Sequence, residues 1–296
     1  MIKTQTNQRI LNLISILLAI VIFLALGILY YLHISGLNYI SGNVLKLPGD
    51  TFISTIIRPT DVFVGLTIYL KTSVDFAILI GILMSKYPGF KNRVAIENGT
   101  AFGNMLGTVV VLTIWFFFKE VKWLLAGMVF LASMVLLEMA KTGVEHIEEV
   151  ELENKLKVPK LVKIISTFLG RFLDKLLFFI SPVLGKIMPS MKFDSSKKLS
   201  FTGLFLASFT IPFILGLDDF AGYVSLFQSV NVFGFGIGVF AGHCVLNILL
   251  FINPSLTIKT VKNPIISLLG SIAFIGLAFY GFFEVFHVLK GILTHH

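Results

Sequence analysis

The stretch Val62-Phe63-Val64-Gly65-Leu66-Thr67-Ile68-Tyr69-Leu70-Lys71-Thr72-Ser73-Val74-Asp75-Phe76-Ala77-Ile78-Leu79-Ile80-Gly81-Ile82-Leu83-Met84 is apolar over a membrane-spanning length, except for a polar island around Lys71 and Asp75. Its Asp75-Phe76-Ala77 returns as Asp219-Phe220-Ala221 inside a second apolar stretch. A carboxylate in hydrocarbon costs a few kcal/mol or more, so it turns toward a bundle interior and marks a pathway. Two such carboxylates, each opening one half of a chain, point to an internal repeat around a shared site.

Composition agrees with a membrane location. The chain has 296 residues, 56% of them hydrophobic and 14% charged, against about 25% charged in soluble domains. The net charge of +8 comes from Lys and Arg in segments beside apolar runs. There these residues act as topology signals and lipid headgroup contacts, which leaves no nucleic-acid patch. One cysteine, Cys244, excludes an intramolecular disulfide.

Seven spans are expected. The first runs from Ile10 to Leu32, and a connecting segment broken by Gly36, Gly42, Pro48, Gly49 and Pro59 follows over 34–60, with a short interfacial piece at Phe52 to Ile57. The second covers Val62 to Met84 and stops at Lys86-Tyr87-Pro88-Gly89. The third, Gly99 to Phe118, carries Gly99, Gly103 and Gly107 as a stripe of small residues that admits another helix. Lys119-Glu120-Val121-Lys122 turns the chain into the fourth, Trp123 to Ala140. The fifth, Leu199 to Phe227, is expected to break at Pro212, Gly216 and Gly222; the sixth is Val232 to Ile252 and the seventh Ile265 to Leu289. In between, residues 141–198 hold a glutamate run, then Leu161, Ile165, Phe168, Phe172, Leu176 and Phe179 at helical spacing, as in an amphipathic helix on the membrane surface.

The fold class read from this pattern is an all-α polytopic membrane protein of about seven transmembrane helices, two inverted three-helix repeats plus one extra N-terminal helix. Its parts are 1–60 (first helix and connection), 61–140 (first repeat), 141–198 (cytoplasmic charged segment) and 199–296 (second repeat). Basic residues concentrate in the amino terminus and in 86–97, 141–198 and 253–263, which puts the amino terminus in the cytoplasm and the carboxyl terminus outside. The two Asp-Phe-Ala copies then lie on oppositely directed spans. Gly103-Asn104 pairs with Gly242-His243 as a weaker correspondence, and Glu138 with Glu284.

The candidate site residues are Asp75, Asp219, Asp218, His243, Asn104 and Asn247. His243 and Asn247 share a helix face, as do Glu284 and His287. Carboxylate, imidazole and amide oxygen together suit a borderline divalent ion such as manganese, zinc or cadmium. The structural alternatives are pairing of Asp75 with Lys71 or Ser73, Asp218 as the cap of a broken half-helix, and interhelical hydrogen bonds for the asparagines. Asp219, in the helix expected to break, is the better ion site, with Asp75 sharing its charge with Lys71. Gly234-Phe235-Gly236-Ile237-Gly238 reads as helix packing or local flexibility. Hydrolase, metalloprotease and phosphate-loop motifs are missing, so no enzyme is expected.

The contexts Thr72-Ser73-Val74-Asp75-Phe76-Ala77 and Gly216-Leu217-Asp218-Asp219-Phe220-Ala221, in two inverted three-span halves, resemble the LysE superfamily, with its cadmium-resistance, manganese-efflux and TerC-type families. The resemblance covers roughly 60–290 and is architectural; the extra first span and the long 141–198 segment depart from the compact form. It implies a secondary carrier that exports a cation or small solute, with the paired aspartates at the site; together with the ligand set above, the expectation is export of a divalent metal through a midplane site, without a cofactor, in a bacterial-type inner membrane. The partners implied are the cation or a small solute, membrane lipids and, in a homo-oligomer, further copies of the chain. Export of an amino acid or other small organic solute stands as the alternative, and beside it a non-transporting scaffold or lipid-modifying protein.

Overall fold

A computed structural model describes residues 2–46, 52–152, 158–178, 199–227, 229–261 and 263–294. Among them the chain is helical, with ten α-helices and no strand. Five helices are long and apolar enough to cross a membrane, and one bent pair passes the same test together. The protein is an integral membrane protein of the helical kind.

Helix α1 (Ile2–Tyr39) runs past the expected end at Leu32 and continues as a wider turn at Ile40–Val44. A single Gly36 with open space around it does not stop a helix. The interfacial piece expected at Phe52 to Ile57 is not helical. That segment is tied to α1 instead: Asn38 Nδ2 donates to the Ile53 carbonyl and Ile53 N–H to Asn38 Oδ1, both at 2.9 Å.

The second apolar stretch is two helices, α2 (Pro59–Thr72) and α3 (Val74–Lys86), bent by 66° at Ser73. Pro59 fits the first turn, where its missing N–H costs nothing. Asp61 in the same turn takes a 2.6 Å bond from Arg58 Nε. Helix α4 (Phe90–Phe118) begins nine residues before the expected Gly99, just after Gly89 at φ +106°. Helix α5 (Lys122–Leu152) follows the expected turn and carries on into the glutamate run. Helix α6 (Lys160–Leu177) is the amphipathic helix.

Helix α7 (Phe201–Tyr223) runs unbroken through Pro212 and through Asp218 and Asp219, then tightens at Val224–Leu226. The break expected here thus lies at Ser73 instead. Pro212 removes one helical hydrogen bond, and its ring packs where Gly103 leaves room. Helix α8 (Val232–Ile252) has the expected bounds because Asn231 caps it, its side chain accepting from Gly234 N–H at 2.9 Å. Two proline-led helices end the chain, α9 (Pro254–Val261) in the expected loop and α10 (Pro264–Thr294).

The helices form two compact units. The first comprises Met1–Thr113, Asp194–Leu217 and Ser229–Ile258. In it α2 and α8 run parallel, backbone against backbone. A Cβ on Gly65 would fall on the Phe235 carbonyl oxygen, one on Gly238 on that of Val62, and one on Gly242 would meet Tyr69. Gly236, on another side of α8, faces the Tyr30 ring of α1, and Tyr30 Oη donates to the Val232 carbonyl at 3.1 Å. The glycine string is therefore a packing device. Helices α4 and α7 are also parallel, Gly99 lying against Phe205 and Ser208 and Gly103 against Phe209 and Pro212. The second unit comprises Ile114–Phe193, Asp218–Gln228 and Lys259–His296. There α5 and α10 run antiparallel, with Phe130 on Phe282, Gly143 on Ser271 and Ile147 near Leu268.

Candidate functional site

The first unit holds a buried polar network built on α2, α4 and α8. His243 is fully buried, with ring Nδ1 2.7 Å from Tyr69 Oη and Nε2 3.0 Å from Asn247 Nδ2. Asn247 Nδ2 also donates to Thr100 Oγ1 at 3.1 Å, and Thr100 Oγ1 donates to the Glu97 carbonyl at 2.9 Å. An amide nitrogen only donates, so Nε2 is the acceptor and the neutral ring carries its proton on Nδ1 toward Tyr69. Phe76 packs against the imidazole at 5.4 Å between ring centroids. With both nitrogens engaged, His243 can take a metal only if one of these bonds opens.

Five further buried polar atoms on α4, α7 and α8 have no hydrogen-bond partner among the described residues. They are Glu97 Oε2, Asn104 Nδ2 and Thr108 Oγ1 on α4, Ser208 Oγ on α7 and Asn247 Oδ1 on α8. Glu97, Thr100, Asn104 and Thr108 fall at i, i+3, i+7 and i+11, so they share one face of α4. Each unpaired buried group costs about 1–3 kcal/mol. Water or a solute that supplies the missing partners removes that cost.

The expected residues are distributed as follows. His243 and Asn247 meet directly, and Asn104 is buried on the face of α4 that bears Thr100. Asp75 is the second residue of α3, beside the break, and Asp218 and Asp219 lie within α7; their side chains fall outside the described residues. Because α7 is continuous there, Asp218 does not cap a half-helix. Lys71 Nζ is buried with no partner among the described residues. Glu284 accepts from Tyr280 Oη at 3.1 Å, while His287 is exposed. Cys244 is buried. Among the described residues no three His, Cys, Asp or Glu side chains gather as a metal cluster.

Three residues of the network were not singled out from the sequence: Tyr69, Thr100 and Glu97. Glu97 is only 2% exposed. The signal that finds it is the i, i+3, i+7, i+11 polar face of α4, which the neighbouring Lys91 and Arg93 obscured by marking the segment as a loop. Comparison of the chain with family models, characterised proteins and solved structures gives no match.

Proposed function

We propose that the chain is a secondary transporter that exports a divalent metal cation, manganese or cadmium or one like them, from the cytoplasm across a bacterial-type inner membrane. The observation that carries this reading is the set of buried polar atoms on Glu97, Asn104, Thr108, Ser208 and Asn247 that have no hydrogen-bond partner among the described residues. Five such groups at ~1–3 kcal/mol each amount to a large share of a typical folding free energy, so the set is built to be filled. Its donors are mainly oxygens, which suit a hard or borderline cation that keeps part of its water. Asp75 and Asp219 are the carboxylates that exchange proton for cation. His243 holds Asn247 and Tyr69 in place.

The reading includes seven crossings: the five long helices, α2–α3 as one and α7 as another. It also includes an inverted repeat that relates α2–α3 to α7, α4 to α8 and α5 to α10, and so carries the resemblance to the LysE superfamily. Packing within the units supports it. The relation exchanges the parallel pairs α2·α8 and α7·α4 and maps the antiparallel pair α5·α10 onto itself. The register agrees as well. Gly103 lies against Phe209 and Pro212, ten and seven positions before Asp219; Gly242 lies against Leu66 and Tyr69, nine and six before Asp75. Gly103-Asn104 and Gly242-His243 then correspond to within about one residue, less than one helical turn.

A second reading, export of a zwitterionic amino acid, is favoured by Arg93. Its Nε and Nη1 are buried with no hydrogen-bond partner among the described residues, one turn before Glu97, and its guanidinium stacks on Phe251 at 4.5 Å. Flux into proteoliposomes separates the two. Manganese or cadmium flux is expected in the wild type and at least a tenfold loss in Asp75→Asn, Asp219→Asn and Glu97→Gln. Full metal flux in both aspartate variants refutes the mechanism; amino-acid counterflow without metal flux selects the second reading.

A further inference from the structure

We propose that α6 is a binding site for anionic phospholipid headgroups at the boundary of the membrane. Its level is set by α5, whose apolar run carries Glu138 near its end, closes at Ala140 and gives way to Lys141 and the glutamate run. Lys141 Nζ bonds Asp174 Oδ1 at 2.9 Å, pinning the last turns of α6 to that boundary. Val162 packs near Ile147 and Leu268, and Leu173 and Leu177 pack with Ala140, Val144, Phe274 and Ala278. The helix therefore crosses obliquely, its start beside the charged end of α5 and its end at the edge of the apolar run.

Three faces follow from this docking. One is buried against α5 and α10. The next is apolar and open, with Leu161, Ile164 and Phe168 exposing 73%, 66% and 69% of their surface. The third is polar and begins where Arg171 and Lys175, exposed and each seven positions after Ile164 and Phe168, border the apolar stripe; the exposed Lys160 and Lys163 continue it. Asp174 is the one acid of α6 and is committed to Lys141, while Lys160, Lys163, Arg171 and Lys175 are its cations. An apolar stripe bordered by cations is the pattern of a helix embedded at the acyl–headgroup boundary. Arg171 and Lys175 are one turn apart, so both reach the same headgroup layer. Guanidinium pairs bidentately with phosphate, and lysine stems snorkel toward it. The occupant is thus the anionic leaflet.

The test uses the full chain in lipid nanodiscs that hold phosphatidylglycerol in phosphatidylcholine. Association of spin-labelled phosphatidylglycerol with the protein is compared with that of the labelled phosphatidylcholine. Each cation near the surface is worth about a factor of five, so Arg171→Gln/Lys175→Gln should lower the relative association constant roughly 25-fold. Both positions are exposed, and Gln keeps the helix propensity. Lys122→Gln/Lys290→Gln removes equal charge from the far ends of α5 and α10 and should leave the preference within about twofold. Absence of any preference in the wild type, or its persistence in the Arg171/Lys175 variant, overturns the proposal. In a second measurement, a tryptophan at Phe168→Trp should be quenched by brominated lipid. Quenching by aqueous iodide alone, or by neither, overturns it as well.

Discussion

The glycines of this chain look alike in the sequence, yet the packing sets two pairs of them apart, with opposite expected responses to one added methyl. At Gly238 the new Cβ would overlap the Val62 carbonyl oxygen and lie 2.8 Å from Leu66 N, and at Gly65 it would overlap the Phe235 carbonyl oxygen. These neighbours are backbone, so no rotamer change relieves the clash and the two helices must separate. Overpacking of this kind costs about 1–3 kcal/mol, and backbone against backbone belongs at the upper end. Gly127 and Gly276 have nothing within 4 Å of such a Cβ. There the substitution removes only the entropic penalty of a helical glycine, a gain of up to ~1 kcal/mol. Gly238→Ala and Gly276→Ala should therefore differ by about 3–4 kcal/mol. Unfolding of purified protein by SDS in mixed micelles, followed by circular dichroism, measures the difference. Equal stabilities in the two pairs would remove the α2·α8 contact, and with it the register on which the repeat rests.

Two further outcomes follow from the polar contacts. Tyr69→Phe deletes the 2.7 Å contact to His243 Nδ1 and should lower stability by about 1 kcal/mol in the same titration, with Phe76 still holding the ring in place; a loss of several kcal/mol would mean that the ring itself had moved. Asn231→Ala removes the cap from α8 and should cost about 1 kcal/mol, with faster hydrogen exchange confined to the first turn of that helix.

Much of the architecture could be read where one local signal acted without competition. The bounds of α8 coincide in sequence and structure because Asn231 caps one end and Asn253-Pro254 closes the other. The stripe of Gly99 and Gly103 was legible because small residues at a spacing of four have few other uses in a span. Glu97 was not, since a charged cluster beside an apolar run reads as a loop unless the polar residues beyond it are seen to share its face. Thr100 of that face is joined to Asn247 of α8 by a contact between residues 147 positions apart, which no local signal announces.

The position of the helix break was also misread, and the reason changes which aspartate should matter more. Pro212 and Gly216 each weaken α7 by a local amount, whereas the chain bends at Ser73, where no proline or glycine stands. Packing decides the matter: Pro212 fits the gap left by Gly103, so α7 stays whole. A break at membrane depth is tolerated only where protein or a water-filled cavity satisfies the freed backbone, and discontinuous helices recur at the binding sites of transporters. By that rule Asp75, one turn from Lys71 and next to the bend, is the ion site to favour, while Asp219 sits in an unbroken helix. Asp75→Asn should then abolish metal flux at every concentration. Asp219→Asn should retain a slow flux whose half-saturation shifts with external pH less than in the wild type. The reverse ranking in proteoliposomes would return the ion to Asp219 and leave the bend at Ser73 as a packing feature alone.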